Sequence, residues 1–284
     1  MAVRTLCLGG IAWNTMVYLD RFPDPVPQTV FAHGSHTTVG SSGAGKALNL
    51  AGLGAHSTLW GLLGGDDAGD KVRDYLSDRR VELLTQVDPK GTMRHINLMD
   101  SDGDRISIFA NPGSNEIIVD VEEVRPVARR ADIVSVTIMN YCRQFLPMLR
   151  ALGKPIWVDI HDFDGVNHYH DEFIEAADVL FMSSQLHPDW RGFLEQRVGA
   201  GTTVGVATHG ADGASGLTAA DGWIDIEAVP TAQLVDTNGA GDAFFAGFAL
   251  AWVAAPNLDA ALDAGALHAA RAVASPELAL LRVR

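Results

Sequence analysis

The 284-residue chain is poor in cysteine, in positive charge and in long apolar runs, and each shortage excludes something. Its two cysteines, Cys7 and Cys142, lie far apart among apolar neighbours. No disulfide framework is expected, and two buried thiols in a reducing cytoplasm are. Lysine and arginine number 21 against 35 aspartates and glutamates, for a formal net charge of −14. Binding to nucleic acid or to an anionic membrane needs clustered cations, so neither partner is expected. Any phosphate site must be local, made of backbone N–H groups or a few placed cations. There is no run of about 18 apolar residues, hence no expected membrane span. The N-terminal stretch "MAVRTLCLGGIAW" reads as a first β-strand and not as a signal peptide.

What is present is a rhythm. Hydrophobic residues make up 47% of the chain and charged residues 20%, enough for one large α/β domain with a sizeable core. Short apolar runs at 3–8, 56–62, 133–136, 156–160, 179–182 and 203–208 read as strands. Helical stretches are expected at 45–54 and 68–79 and between and after the later strands. That alternation predicts a mostly parallel sheet covered on both faces. Two regions break it. Pro23, Pro25 and Pro27 forbid a helix within 15–38. Residues 92–110 alternate around Asp-Ser-Asp-Gly-Asp, a hairpin signal. The two regions together predict a small antiparallel sheet standing off the main domain as a lid. A further hairpin, 214–219 with 223–227, is expected to extend the edge of the main sheet.

Two glycine loops compete for a phosphate. "GSSGAGKA", Gly40 to Ala47, nearly matches the P-loop, but Ala47 has no hydroxyl for a metal ion. The segment before it is no clean buried strand, and a flexible turn leading into a helix explains it as well. "DTNGAGDAFFAGF", Asp236 to Phe248, is the better candidate. Its Gly-Ala-Gly turn opens a helix, and a helix N-terminus offers unpaired N–H groups and partial positive charge without any lysine. Asp242 in the first turn is either a stabiliser of the helix dipole or a base beside a bound phosphate.

The same stretch resembles the C-terminal signature of the PfkB, or ribokinase-like, carbohydrate kinases. "GGIAWN", "AGKALNLAGLG", "LLGGDDAGDKVRDYL", "NPGSN" and "THGADGA" are similar, in order, to further family segments, so the resemblance covers essentially the whole chain. It implies a three-layer α/β/α domain over 1–13, 39–91 and 111–284, with a β-sheet lid over 14–38 and 92–110. It implies an ATP-dependent kinase that phosphorylates a hydroxymethyl group of a sugar or sugar-like molecule. Asp242 would be the base, and the amides of Gly239, Ala240 and Gly241 the anion hole. Asn14, Gly45, Lys46, Asn49, Gly113 and Asn115 would face the substrate. Thr208, Gly210, Gly213, Asn238 and His268 would face the nucleotide. A homodimer through the lid, Mg²⁺ with the ATP, and K⁺ near Asp236 are further implications.

There are departures. The family's first substrate turn usually carries Asp, where this chain has Asn14, so the ligand either shows a different hydroxyl pattern or brings its own charge. The Asn-x-x-Glu motif that organises Mg²⁺ in relatives reads "SSQL", Ser183 to Leu186, which leaves Asp159 and Asp162 as metal candidates. His161, His168 and His170 have spacing that would admit a transition metal, but a polar loop at a strand end is the favoured account. A nucleoside kinase with Trp13, Tyr18 or Phe31 stacking a base is the nearest rival. A ligand-binding homologue without catalysis is the rival of another class.

Overall fold

A computed structural model describes residues 2–101, 103–231, 235–275 and 278–279. The first half of the chain contains β1 (Arg4–Leu8), β2 (Ala12–Tyr18), β3 (Gly34–Gly40), α1 (Ser42–Gly52), β4 (His56–Leu63), α2 (Asp67–Asp78), β5 (Glu82–Val87), β6 (Arg94–Met99) and β7 (Arg105–Asn111). There follow α3 (Val121–Arg130), β8 (Ile133–Thr137), α4 (Leu146–Ala151), β9 (Ile156–Asp159), α5 (Asp171–Ala176), β10 (Val179–Ser183) and α6 (Trp190–Gly199). The last elements are β11 (Val204–Thr208), β12 (Ala214–Thr218), β13 (Gly222–Ile226), α7 (Ala240–Ala254) and α8 (Leu258–Ala272).

Nine strands form the large sheet in the order β13-β12-β11-β10-β9-β8-β1-β4-β5. From β11 to β5 every pairing is parallel, and the antiparallel hairpin β12–β13 extends one edge. Parallel strands are covered on both faces, so their residues are apolar whichever way they point. Cys7, Ile133, Trp157 and Phe181 enter one core with α1, α2, α7 and α8. Leu6, Leu8, Val134, Val158 and Leu180 enter the other with residues of α3, α4, α5 and α6. The three layers follow directly from period-2 side-chain alternation through a sheet buried on both sides.

The second sheet has four strands in the order β3-β2-β6-β7; it is mixed and not antiparallel as expected, because β2 and β6, which come from separate hairpins, pair in parallel. Carboxylates fasten its connections to the large sheet. Asp66 caps α2 by accepting from the Gly69 N–H at 2.9 Å, and it also accepts from the Thr92 N–H and hydroxyl just before β6. Asp88, after β5, accepts from the Ser114 N–H and hydroxyl just after β7.

Two local expectations are corrected. Residues 31–40, read as no clean strand, contain β3. Its alternating burial suits a sheet with one solvent face, which a search for a wholly buried strand overlooks. The helix expected from Gly45 begins at Ser42, because the Gly45 N–H donates to the Ser41 carbonyl at 2.9 Å and closes the first turn over a glycine-rich sequence. The extended segment expected up to Val235 includes residues 232–234, outside the described residues.

Candidate active site

Asp242 lies in the first turn of α7, and α1 packs beside that helix. Its Oδ1 accepts from Lys46 Nζ at 2.6 Å and from the Ser42 hydroxyl at 2.8 Å. Lys46 also donates to Asp159 Oδ2, at the end of β9, at 2.9 Å, and to the Ser42 hydroxyl at 2.8 Å. All three ammonium protons are therefore used, and the residue has no exposed surface. Burial pulls the Lys46 ammonium down, but the two carboxylates outweigh it and hold it above its ordinary value. Burial likewise pushes Asp159 up, yet His161 and Lys46 with their hydrogen bonds bring it to about 2. Asp242 Oδ2 lies against Gly45, where a Cβ would sit 2.1 Å from it, so a side chain at that position would displace the carboxylate.

The loop before α7 turns at Gly239 in the left-handed region (φ 81), and no side chain caps the helix. The N–H groups of Gly241 and Asp242 belong to the first turn, where helix geometry provides no carbonyl partner. Gly241 has open space beside it. The small sheet reaches this loop at three points. The Tyr18 hydroxyl donates to Asp236 at 3.2 Å, the Thr237 hydroxyl donates to the Gly103 carbonyl at 2.9 Å, and the Arg105 guanidinium donates to Asn238 Oδ1. Burial pushes Asp236 up, opposed by the Asn238 N–H and the Tyr18 hydroxyl.

Between the small sheet and the loop lies a cavity of about 440 Å³. Asn14, Asn238, Gly239, Ala240, Gly241, Asp242 and Asp159 line it, as do several residues that were not singled out: Ser42, His95, Asn97, Arg105, Ser107 and Phe109. A usable signal was present. In "RHIN" and "RISIF" the polar residues alternate, which on a strand puts them on one face. Ser41 (φ 75) and His161 (φ 52) also line the cavity. They are non-glycine residues in the left-handed region, a strain found where surrounding structure over-determines the backbone.

Other expected residues lie elsewhere. Lys46, expected on the substrate, is buried beneath the cavity with no donor left for a hydroxyl. Asn49 and His268, expected on opposite ligands, bond each other at 3.1 Å inside the protein, and Asn49 Nδ2 donates to the Gly45 carbonyl. Gly113 packs against Asp88, and Asn115 borders a separate shallow groove with Ile117 and Asn140. Thr208 ends β11 and Gly210 and Gly213 follow it, at the same end of the sheet as Asp159 but outside the cavity lining. Of the aromatic residues proposed to stack a base, Trp13 packs edge-on against Tyr75, Tyr18 stacks on His36, and Phe31 is 87% exposed. The aromatic ring lining the cavity is Phe109.

For a metal, the donor set does not fit a protein cage. Both Asp159 oxygens are engaged, by Lys46 and by the His161 N–H, and Asp162 is exposed outside the cavity lining. His168 is exposed and pairs with Asp171, while His170 packs against Phe163. Among the described residues no group of three His, Cys, Asp or Glu side chains is placed to hold an ion.

Residues 11–281 match the pattern of the pfkB family carbohydrate kinases. The chain is 30% identical over 277 residues to the acarbose 7(IV)-phosphotransferase of Actinoplanes sp., covering 95% of this chain and 92% of that protein. It is 30% identical over 286 residues to the ATP-dependent ribose-1-phosphate kinase of Halopiger xanaduensis, covering 95% and 93%. The solved structure of a microbiome-derived acarbose kinase superposes with a TM-score of 0.89 at 29% identity, over 97% of this chain and 94% of that one. A catalytic-type carboxylate at an uncapped helix start, inside a ribokinase-like pair of sheets, agrees with that match along nearly the whole sequence: the chain belongs to the pfkB family of carbohydrate kinases.

Proposed function

We propose that this protein transfers the γ-phosphoryl group of ATP to a hydroxymethyl oxygen of a sugar-like acceptor held under the small sheet. The observation that carries this is Asp242, with Oδ1 fixed by Lys46 and Ser42 and Oδ2 free of hydrogen bonds among the described residues, beside the open amides of the α7 N-terminus. Oδ2 takes the acceptor's hydroxyl proton as its oxygen bonds to the γ-phosphorus and ADP leaves. The amides of Gly239 and Gly241 meet the charge on the transferred group, while the Ala240 N–H, expected beside them, donates to the Thr237 carbonyl at 3.2 Å; the Arg105 guanidinium, delivered by β7 to Asn238, adds to the two amides. The small sheet acts as the lid.

Mg²⁺ enters with the nucleotide phosphates and water, since the described side chains form no cage of their own. Asp236 spends its oxygens on Tyr18 and Asn238, so K⁺ is left out of the proposed cofactors. Two free, buried cysteines suit the cytoplasm, where ATP is also available. The test is Asp242→Asn, which preserves shape and removes the base. Turnover should fall by about 10²-fold or more while ATP binding is kept. Activity near wild type in that variant would sink the mechanism.

A further inference from the structure

The face of the small sheet that looks into the cavity is chemically unusual. Register fixes its membership: Met16 of β2 lies beside Asn97 of β6, which lies beside Ser107 of β7, and His95 lies beside Phe109. Asn14 shares a face with Met16, two residues on. Asn14, His95, Asn97, Ser107 and Phe109 therefore project from one surface, and all five line the cavity.

Three of them carry a buried polar atom with no partner. These are Asn14 Oδ1, His95 Nε2 and Asn97 Oδ1. Asn14 and Asn97 are each 2% exposed and His95 is 8% exposed. Unpartnered buried polar atoms are costly, and three together on one cavity wall call for a ligand that satisfies them. Asn97 already spends a donor on Met16 Sδ at 3.3 Å, leaving its carbonyl oxygen to accept. All three groups are uncharged at neutral pH, because burial and the Arg105 charge hold the His95 imidazole down.

Of the two cations at the site, one is consumed and the other is turned towards the loop before α7. Lys46 is consumed by Asp159, Asp242 and Ser42. Arg105 stands on the same face of β7 as Ser107 and Phe109, with its guanidinium donating to Asn238 Oδ1 in the loop. Two carboxylates, Asp159 and Asp242, line the same cavity. A second phosphate, carried on the acceptor, would meet amide oxygens and acids under the small sheet. A neutral hydroxyl would meet an acceptor. The Phe109 ring, 4.0 Å from the His95 ring, supplies an apolar patch for the C–H face of a sugar ring.

We infer that the acceptor is an unphosphorylated, neutral polyhydroxylated molecule, read by Asn14, His95 and Asn97 from the small sheet, and not a sugar phosphate. This rests on the kinase assignment proposed above, and the experiment separates the two. ATP-dependent turnover and thermal shift are measured with paired probes: ribose and ribose 5-phosphate, fructose and fructose 6-phosphate, glucose and glucose 6-phosphate, maltose and maltose 1-phosphate. At least one neutral member should raise Tm and be phosphorylated, with its ester about tenfold or more poorer in kcat/KM. Asn97→Ala should raise KM for that neutral sugar about tenfold with kcat little changed, as loss of a uniform binding contact requires. Asn97→Asp, which keeps the acceptor and adds charge, should retain the neutral sugar and weaken the ester further. Turnover of esters alone, an ester preferred to its parent, or an unchanged KM in Asn97→Ala overturns the inference while leaving the kinase assignment standing. No ADP formed with any probe overturns both.

Discussion

Lys46 Nζ sits 2.6 Å from Asp242 Oδ1, with none of the lysine exposed and Asp159 2.9 Å away on its other side. A buried ammonium thus bridges two carboxylates and points one of them. Lys46→Ala would leave both acids buried without their counter-charge. Losing one partner of a buried ion pair costs about 3–5 kcal/mol, so a large drop in Tm is expected. Asp159 would lose one of the charges that hold its carboxyl down, so the acid limb of the kcat profile should move to higher pH. An unmoved acid limb in a folded Lys46→Ala protein would show that the lysine only supports the fold.

Arg105 links the small sheet to the phosphate loop through Asn238. If the guanidinium meets charge that develops during transfer, Arg105→Ala should lower kcat by about 10–10²-fold, with a smaller change in the KM of the sugar. Arg105→Lys should recover part of that loss, because a point charge replaces a fork. Steady-state kinetics on both variants decide it. A change confined to the sugar's KM counts against the role.

Acid sensitivity should come in two stages. Burial, with the Arg105 charge behind it, holds His95 at about 4 against an ordinary 6.5. The unfolded chain takes up that proton first, so the stability from this site is complete above pH 6.5 and is lost as pH falls towards 4. Asp159, held at about 2 against 3.8, contributes stability that is present above 3.8 and lost as pH falls through 2. Urea midpoints taken from neutral pH downwards should fall in the first window, and His95→Gln should flatten that part only. An identical slope in the variant would exclude His95 as a source.

β7 is an edge strand of the small sheet, and Ile106 and Ile108 on it are 43% and 47% exposed. An exposed apolar edge invites pairing with another strand. We propose a second copy of this chain as its partner, giving a homodimer through the small sheets. Light scattering should give twice the 30.3 kDa chain mass. Replacing both isoleucines by lysine should give monomers. A monomeric wild-type protein would remove the proposal.

The layered fold and the phosphate loop were legible in the sequence because both depend on local rules. Period-2 apolar runs set the strands, and glycines before an apolar helix set the Asp236–Phe248 turn. The small sheet was legible as a hairpin plus a proline-rich break, although β3 was missed because only half of its residues face the protein. The burial of Lys46 is not legible in the sequence, because its position is that of a first-turn lysine on a glycine-rich helix. Only packing reveals that α1 lies beside α7, so that the ammonium reaches both Asp159 at the end of β9 and Asp242. The bond between Asn49 and His268 is hidden for the same reason, since 219 residues separate two side chains that meet only after α1 and α8 are brought together.

By itself, then, the sequence determined the strand and helix alternation, the glycine turn before α7 and the family. These follow from short-range periodicity and backbone freedom. Which carboxylate oxygen is held and which is free, and which side chains of β6 and β7 line the cavity, were decided by tertiary structure. Those depend on contacts between residues distant in the chain, such as Arg105 with Asn238 and Tyr18 with Asp236, whose pairing is fixed by how two sheets close on one loop.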